Sequence, residues 1–403
     1  MKLRHQLSAY SPVRSQSLVA AGLSAVGMRK GSGEALRNHV MQVYGADDCF
    51  LVGSGTQALQ CAIEIAARAA GPGGFVAMPA FSCYDVASAA IGAGMPVALY
   101  DVDPLTLSPD LSSFDRVLAA GASVGVIAPL YGIPVDWEAL ADLGRRYGVP
   151  LVEDASQGHG AFRENAMIGA LGSLSTLSFG RGKGWTGGAG GAVLMRGSRS
   201  FESSSLSSLG RLAEIRGVAG LLAQWALGRP AVYGVPRSIP LLALGETRYH
   251  APIPPTPMTA GAAAAVLCNE SASLKEASLR RDNAACLLAA VRGTGLTAIE
   301  VPAGWTAGYM RLPLLVPASA DGLPSAAIEL GAARSYPTPL STLPALTRQL
   351  VVGEKAWPGA VRLARELITL PTHSRLTVAE RRRLLEVIKR WTVSGGLSVR
   401  LHA

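Results

Sequence analysis

Charge is scarce in this chain: Asp, Glu, Lys and Arg make up 16% of its 403 residues, and 49% are apolar. That composition excludes a disordered polymer and describes a compact globular protein. Cysteine is sparse as well. Cys49, Cys61, Cys83, Cys268 and Cys286 form no C-x-x-C pair and no metal-ligand spacing, so neither a disulfide framework nor a metal site is expected. An odd number of thiols among apolar neighbours fits a reducing compartment, and a cytoplasmic location is expected. No apolar run reaches the about 20 residues a membrane-spanning helix needs; GVAGLLAQWALG at 217–228 is too short. The opening MKLRHQLSAY lacks the charged-then-apolar order of a secretory signal, and the apolar stretch Leu18–Met28, broken by Gly and Ser, reads as a packed helix. Basic residues outnumber acidic ones, 37 to 28, but they are scattered, and only Arg381-Arg382-Arg383 form a run. A nucleic-acid partner is therefore not expected. The net charge of +9 reads as a solvated surface or as an attraction for phosphorylated ligands.

What is present is glycine and proline, 46 and 25 residues spread along the chain, as suits a loop-rich α/β protein. Between about residues 50 and 200, strand-length apolar runs recur at Phe75–Met78, Val97–Val102, Val124–Leu130, Val149–Val152 and Leu174–Phe179. Each is flanked by Gly, Pro or Asp, and helical patterns such as Leu59–Ala70 and Trp137–Tyr147 lie between several of them. Buried parallel strands have this signature. The expected fold class is α/β: a large domain over 1–257 with a mostly parallel central sheet, and a smaller C-terminal α+β domain over 258–403. Segment 199–257 breaks the rhythm and reads as an atypical apolar insertion. A helix pattern resumes from Thr259 to Leu288.

Three motifs carry chemistry. Gly53-Ser54-Gly55-Thr56-Gln57-Ala58-Leu59 follows an apolar strand and opens a helix, where free backbone N–H groups favour phosphate. It formally matches a dinucleotide fingerprint. That reading needs a carboxylate at the end of the next strand, and Ala77-Met78-Pro79 has none. In the second motif, Pro150 to Gln157, an apolar strand ends in Glu153-Asp154 at the sheet edge where α/β ligands bind. Asp154 can keep a pyridinium nitrogen protonated, or simply form a turn. The third, Ser178-Phe-Gly-Arg-Gly182-Lys183-Gly184, is not a Walker loop, because Leu177 and Gly184 stand where Gly and Ser/Thr are required. A lysine in such a small-residue turn can approach a planar cofactor and form a Schiff base, or can be an exposed loop residue. In this order, a phosphate cradle, a strand-end carboxylate and a loop lysine are the set that pyridoxal-5′-phosphate requires.

With these motifs, together with GAGMPVALYDVDPLTLSPD (92–110), PLYGIPVDWEAL (129–140) and LPTHSRLT (370–377), the chain resembles the DegT/DnrJ/StrS family of pyridoxal-phosphate-dependent sugar aminotransferases. The resemblance implies the aspartate-aminotransferase-like fold (fold type I) and a homodimer. It also implies roles. Lys183 would bond the cofactor's aldehyde and later move a proton, while Asp154 would pair with the pyridine nitrogen and Gln157 would reach toward the ring hydroxyl. Gly55, Thr56 and Ser178 would bind the phosphate, Gln57 would be a further cofactor contact, and His159 would be structural. Cys83 stands where relatives carry an aromatic residue over the ring, leaving Tyr84 or Phe81 to stack; Tyr84 is the expected cofactor contact. The segment Pro255-Thr256-Pro257-Met258 replaces the family's Asn-x-Arg-Met, and Ser341 follows Tyr336-Pro337-Thr338-Pro339-Leu340 where a histidine is common.

The expected function is amino transfer from an amino acid, glutamate first, to a keto group on a sugar or sugar-like substrate, nucleotide-linked or free. Two alternatives stay open: a pyridoxal-phosphate dehydratase or lyase, against which a retained Lys183 speaks, and a non-catalytic binding partner of the same fold. For 217–242 the expectations are a homodimer interface or, second, peripheral contact with a membrane or a partner enzyme.

Overall fold

The computed structural model describes residues 4–197, 209–239, 247–317, 320, 322–351 and 356–400, the side chains beyond 391 excepted. The serine-rich start of the insertion and its 240–246 portion lie outside the described residues.

The strands, in chain order, are β1 (Asp48–Val52), β2 (Phe75–Pro79), β3 (Val97–Tyr100), β4 (Ala122–Ile127), β5 (Leu151–Asp154), β6 (Phe162–Arg163), β7 (Ala166–Met167), β8 (Leu174–Ser178) and β9 (Gly191–Met195), followed by β10 (Thr297–Ala298), β11 (Leu312–Leu315), β12 (Ala333–Arg334) and β13 (Leu367–Leu370). The helices begin with α1 (Ser15–Ala25), α2 (Ser32–Tyr44), α3 (Gly55–Ala70), α4 (Tyr84–Gly92), α5 (Leu111–Ala119), α6 (Trp137–Tyr147) and α7 (Arg211–Leu227). They continue with α8 (Gly234–Arg237), α9 (Ala260–Val291), α10 (Ser325–Glu329), α11 (Pro344–Thr347), α12 (Pro358–Glu366) and α13 (Val378–Arg400).

The large sheet runs β1-β9-β8-β5-β4-β2-β3. From β8 to β3 every pairing is parallel; β9 is antiparallel to both of its neighbours. Each of the five apolar runs becomes a strand of this sheet. Alternation along β2 shows how the sheet is buried on both faces. Val76 and Met78 join the core under α3 and α4, whereas Phe75 and Ala77 join Phe114, Leu140 and Leu143 of α5 and α6. A second sheet, β10-β11-β13-β12, is antiparallel and packs on the far end of α9 and on α13. Helix α9 belongs to both layers: Ala263 and Val266 lie in the core with Leu36 and Leu194, while Ala284, Leu287 and Val291 lie in the small sheet's core.

Two contacts fasten the small sheet's end of the chain to the large sheet. Asp101, just past β3, accepts hydrogen bonds from the backbone N–H groups of Gly359 and Ala360 at 2.8 Å each, so a carboxylate caps the positive end of α12. The Trp357 indole donates to the carbonyl of Leu99 at 2.9 Å.

Candidate active site

Parallel strands deliver their carboxyl ends, and the loops that follow them, to one edge of the sheet. Here that edge opens into a cavity of about 510 Å³. Six of the eight residues singled out from the sequence line it: Gly55, Thr56, Asp154, Gln157, Ser178 and Lys183.

One wall is the start of α3. Ser54 adopts an extended backbone and its hydroxyl accepts the N–H of Gln57 at 3.2 Å, which caps the helix; Gly55 and Thr56, whose N–H groups find no partner within the helix, line the cavity. The end of β8 presses against this start. A Cβ on Gly55 would lie 2.5 Å from Cβ and 2.6 Å from Oγ of Ser178, so only glycine admits the serine hydroxyl this close. The contact joins the first and third motifs into a single anion cradle.

The adjacent acids of β5 divide by strand alternation. Glu153 points away from the cavity and is fully buried. Its carboxylate accepts from the N–H groups of Gly169 (2.7 Å), Leu171 (3.0 Å) and Gly172 (3.1 Å) and from the Ser175 hydroxyl (2.8 Å). Burial nevertheless raises its pKa. Asp154 points into the cavity and is steadied by the Ser156 N–H at 3.1 Å and the Thr176 hydroxyl at 3.3 Å. Glu153 therefore clamps a loop, and Asp154 is free to face a ligand.

Lys183 follows β8 in the loop that returns to β9, and its N–H donates to Gly180 at 3.3 Å. The hydroxyl of Ser11 donates to the Lys183 carbonyl. Gly184 meets the side chain of His159, where a Cβ would lie 2.4 Å from that residue's Cβ, so no serine or threonine fits after this lysine. His159 also lies 6.2 Å from the Trp185 ring, and burial lowers its pKa to about 4.

Gln157 lines the cavity, but its amide is engaged by the protein. Its Oε1 accepts the N–H of Tyr131 at 3.0 Å, and its Nε2 donates to the Tyr336 hydroxyl at 3.0 Å. Two of the expected residues stand outside the lining. The Gln57 amide turns away to donate to the Pro254 carbonyl at 3.0 Å, while Tyr84 is buried with its hydroxyl 2.7 Å from that of Thr338. Between them Cys83 reaches the cavity, its thiol pushed up to about 12 by burial. Phe81, the other aromatic candidate, is buried edge-on against Tyr336 at 5.4 Å. The segment that departs from the family pattern packs beside the cradle: the Gly53 N–H donates to Thr256 at 2.8 Å, and Val52 bridges to Pro257.

Sequence reasoning did not assign α7 to this site. Arg216, Gly217, Gly220 and Gln224 of that helix complete the cavity wall, joined by Arg181 from the lysine loop. The signal lay in the small residues. Gly217 and Gly220 sit one turn apart on the face turned inward, next to buried Leu221, which packs on Gly188. None of the helices among the described residues is long and apolar enough to cross a membrane.

The model of the DegT/DnrJ/EryC1/StrS aminotransferase family matches residues 27–212. The chain is 34% identical over 152 residues to the L-glutamine:2-deoxy-scyllo-inosose aminotransferase of Streptomyces lividus, covering 38% of this chain and 35% of that one. It is 34% identical over 151 residues to the 3-amino-5-hydroxybenzoate synthase of Amycolatopsis mediterranei, covering 38% of each. The match thus spans little more than a third of these curated relatives. The fold is shared far more widely. A DegT/DnrJ/EryC1/StrS aminotransferase from Brucella abortus superposes with a TM-score of 0.72 at 21% identity, over 94% of this chain and 95% of that one.

Proposed function

We propose that this chain, whose residues 27–212 match the model of the DegT/DnrJ/EryC1/StrS aminotransferase family, is a pyridoxal-phosphate-dependent aminotransferase acting on a keto group of a sugar or sugar-like compound. One observation carries the reading: Lys183, Asp154, Ser178 and the start of α3 line a single cavity. The residues fit the cofactor. The cradle of Gly55, Thr56 and Ser178 would hold its phosphate, Asp154 its ring nitrogen and Lys183 its aldehyde carbon.

When bound, the cofactor supplies an electron-withdrawing ring and an aldehyde that condenses with amines. The protein's part is positional and electrostatic. The Asp154 carboxylate, fixed by Ser156 and Thr176, favours a proton on the ring nitrogen. Lys183 Nζ serves as a base that takes a proton from the substrate carbon and returns it nearby. Helix α7 completes the cavity wall around these groups.

The donor we propose is an amino acid, glutamate first, and the acceptor a sugar-like ketone, nucleotide-linked or free. Support for the transfer class comes from the relatives, which are named as aminotransferases. A homodimer is part of this reading. It is supported by exposed apolar residues on α1 and α7, among them Val19, Leu23, Leu212 and Ile215. A cytoplasmic setting is supported by five unpaired cysteines.

Borohydride reduction of the cofactor-loaded protein should fix the cofactor on the peptide containing Lys183. Mixing with L-glutamate or L-glutamine should then convert the absorbance of the loaded enzyme to that of pyridoxamine phosphate. Labelling at another lysine would refute the site. Labelling at Lys183 without conversion by any amino acid would favour the dehydratase or the binding protein.

A further inference from the structure

A second chamber, also of about 510 Å³, adjoins the first. The two share Arg181, Gly220 and Gln224 in their walls. The second is closed by the N-terminal segment at Leu7 and Tyr10, by the other flank of α7, and by the residues bordering β11 and β12.

Arg311, immediately before β11, opens onto this chamber. Its Nε is buried without a partner, and Nη1 donates to the Ser335 hydroxyl at 3.3 Å. Among the described residues it forms no ion pair, and the groups facing its charge are the phenols of Tyr131, Tyr336 and Tyr233. Arg181 and Arg237 act on the same Tyr233 hydroxyl, so positive charge converges here from three elements. A guanidinium withdrawn from water stays charged and is costly without a counter-ion. An oxyanion, carboxylate or phosphate, is the counter-ion that its remaining N–H groups suit. Part of the wall is apolar (Leu7, Ala223, Leu227 and Pro236), beside polar Ser8, Ser11, Thr247 and Arg334, the last donating to the Arg365 carbonyl. Chambers of this size take a whole ligand moiety, well beyond a lone carboxylate.

We propose that this chamber is the acceptor's anion subsite: Arg311 and Arg181 bind a carboxylate or phosphate borne by the acceptor, and the apolar wall holds the framework that carries it. The assignment rests on the aminotransferase reading for the word acceptor. The anion site itself does not.

Calorimetric titration with benzoate and with phenyl phosphate, using phenol as the neutral control, tests it on the cofactor-loaded enzyme and on the cofactor-free protein. The wild type should bind at least one of the two anions and not phenol, and the stronger of the pair identifies the group. Arg311→Met should weaken that anion by about thirty-fold or more. Ala223→Trp, at an exposed position of α7 that lines the chamber, should block it without disturbing buried packing. Should Arg311→Met fail to fold by thermal melting, Ala223→Trp carries the test. Equal affinity in wild type and variants, or no anion binding by the wild type, overturns the subsite. If Arg311→Met weakens L-glutamate as much as benzoate, the anion belongs to the donor and the acceptor assignment falls. Failure of the cofactor reading shows separately, as no label at Lys183.

Discussion

At the residue scale, the site depends on contacts too close for a side chain to intervene. Gly55 and Ser178 are 123 positions apart by their numbers, yet a single added methyl would collide with the serine Cβ at 2.5 Å. Gly55→Ala should therefore push the start of α3 away from β8. Equilibrium dialysis should show pyridoxal phosphate bound about ten-fold more weakly, the loss expected for one charged hydrogen bond. Urea melts should show a cost of about 1–3 kcal/mol for overpacking. Unchanged cofactor affinity would put the phosphate elsewhere. The residue scale is also where the sequence was most legible. The three motifs named Lys183, Asp154, Ser178 and Gly55, and all four line one cavity. Gln57 and Tyr84 were less legible because side-chain direction is settled by neighbours remote in sequence, Pro254 for one and Thr338 for the other.

At the scale of elements, α7 is the part that periodicity alone did not explain. It holds one buried side chain, Leu221, and leaves Leu212, Ile215 and Leu222 exposed. Leu221 and Val218 pack with Ala21 of α1 and Ala265 of α9, and an electrostatic contact adds to that packing. Glu214 accepts the N–H groups of Ala260 at 2.7 Å and Gly261 at 3.1 Å, so a carboxylate on one helix caps the positive end of another. Glu214→Ala should cost about 1–2 kcal/mol. It should also loosen the roof, seen as faster limited proteolysis within 211–227, whereas Glu214→Gln, which keeps an acceptor, should lie between. Cleavage at the wild-type rate in both variants would mean that packing on α1 and α9 holds the helix. A pattern of small residues tells that a helix approaches something closely; it does not tell what.

At the scale of the whole molecule, the N-terminal segment ties the small sheet's end of the chain to the rest. Leu7's carbonyl accepts from the buried ring of His373 at 2.9 Å. Burial holds that imidazole at about 4, below its ordinary 6.5. The unfolded chain takes up a proton near the ordinary value and the folded chain only near the lower one. Between them the unfolded state binds more protons, and stability falls as pH drops through that window. The full contribution is on the order of 3 kcal/mol, present above the ordinary pKa and lost toward the lower one. His159, lowered to about 4 by burial as well, acts in the same direction. Melting temperatures from pH 7 to 4 should therefore decline less steeply in His373→Gln, whose amide can still donate to Leu7. Parallel curves for variant and wild type would exclude His373 as a source of acid sensitivity.

The alternation of apolar runs and helices along 50–200 determined a sheet of parallel strands, because strands buried on both faces must be apolar throughout. The order of the three motifs determined a set of groups suited to one cofactor, because each motif's local shape is set by its own glycines and caps. The rest was left to tertiary structure. Where the amide of Gln57 turns, which helix roofs the cavity and where a buried arginine opens onto a second chamber are relations between segments far apart in the chain. Such relations are decided only when the packed interior fixes the distances between them.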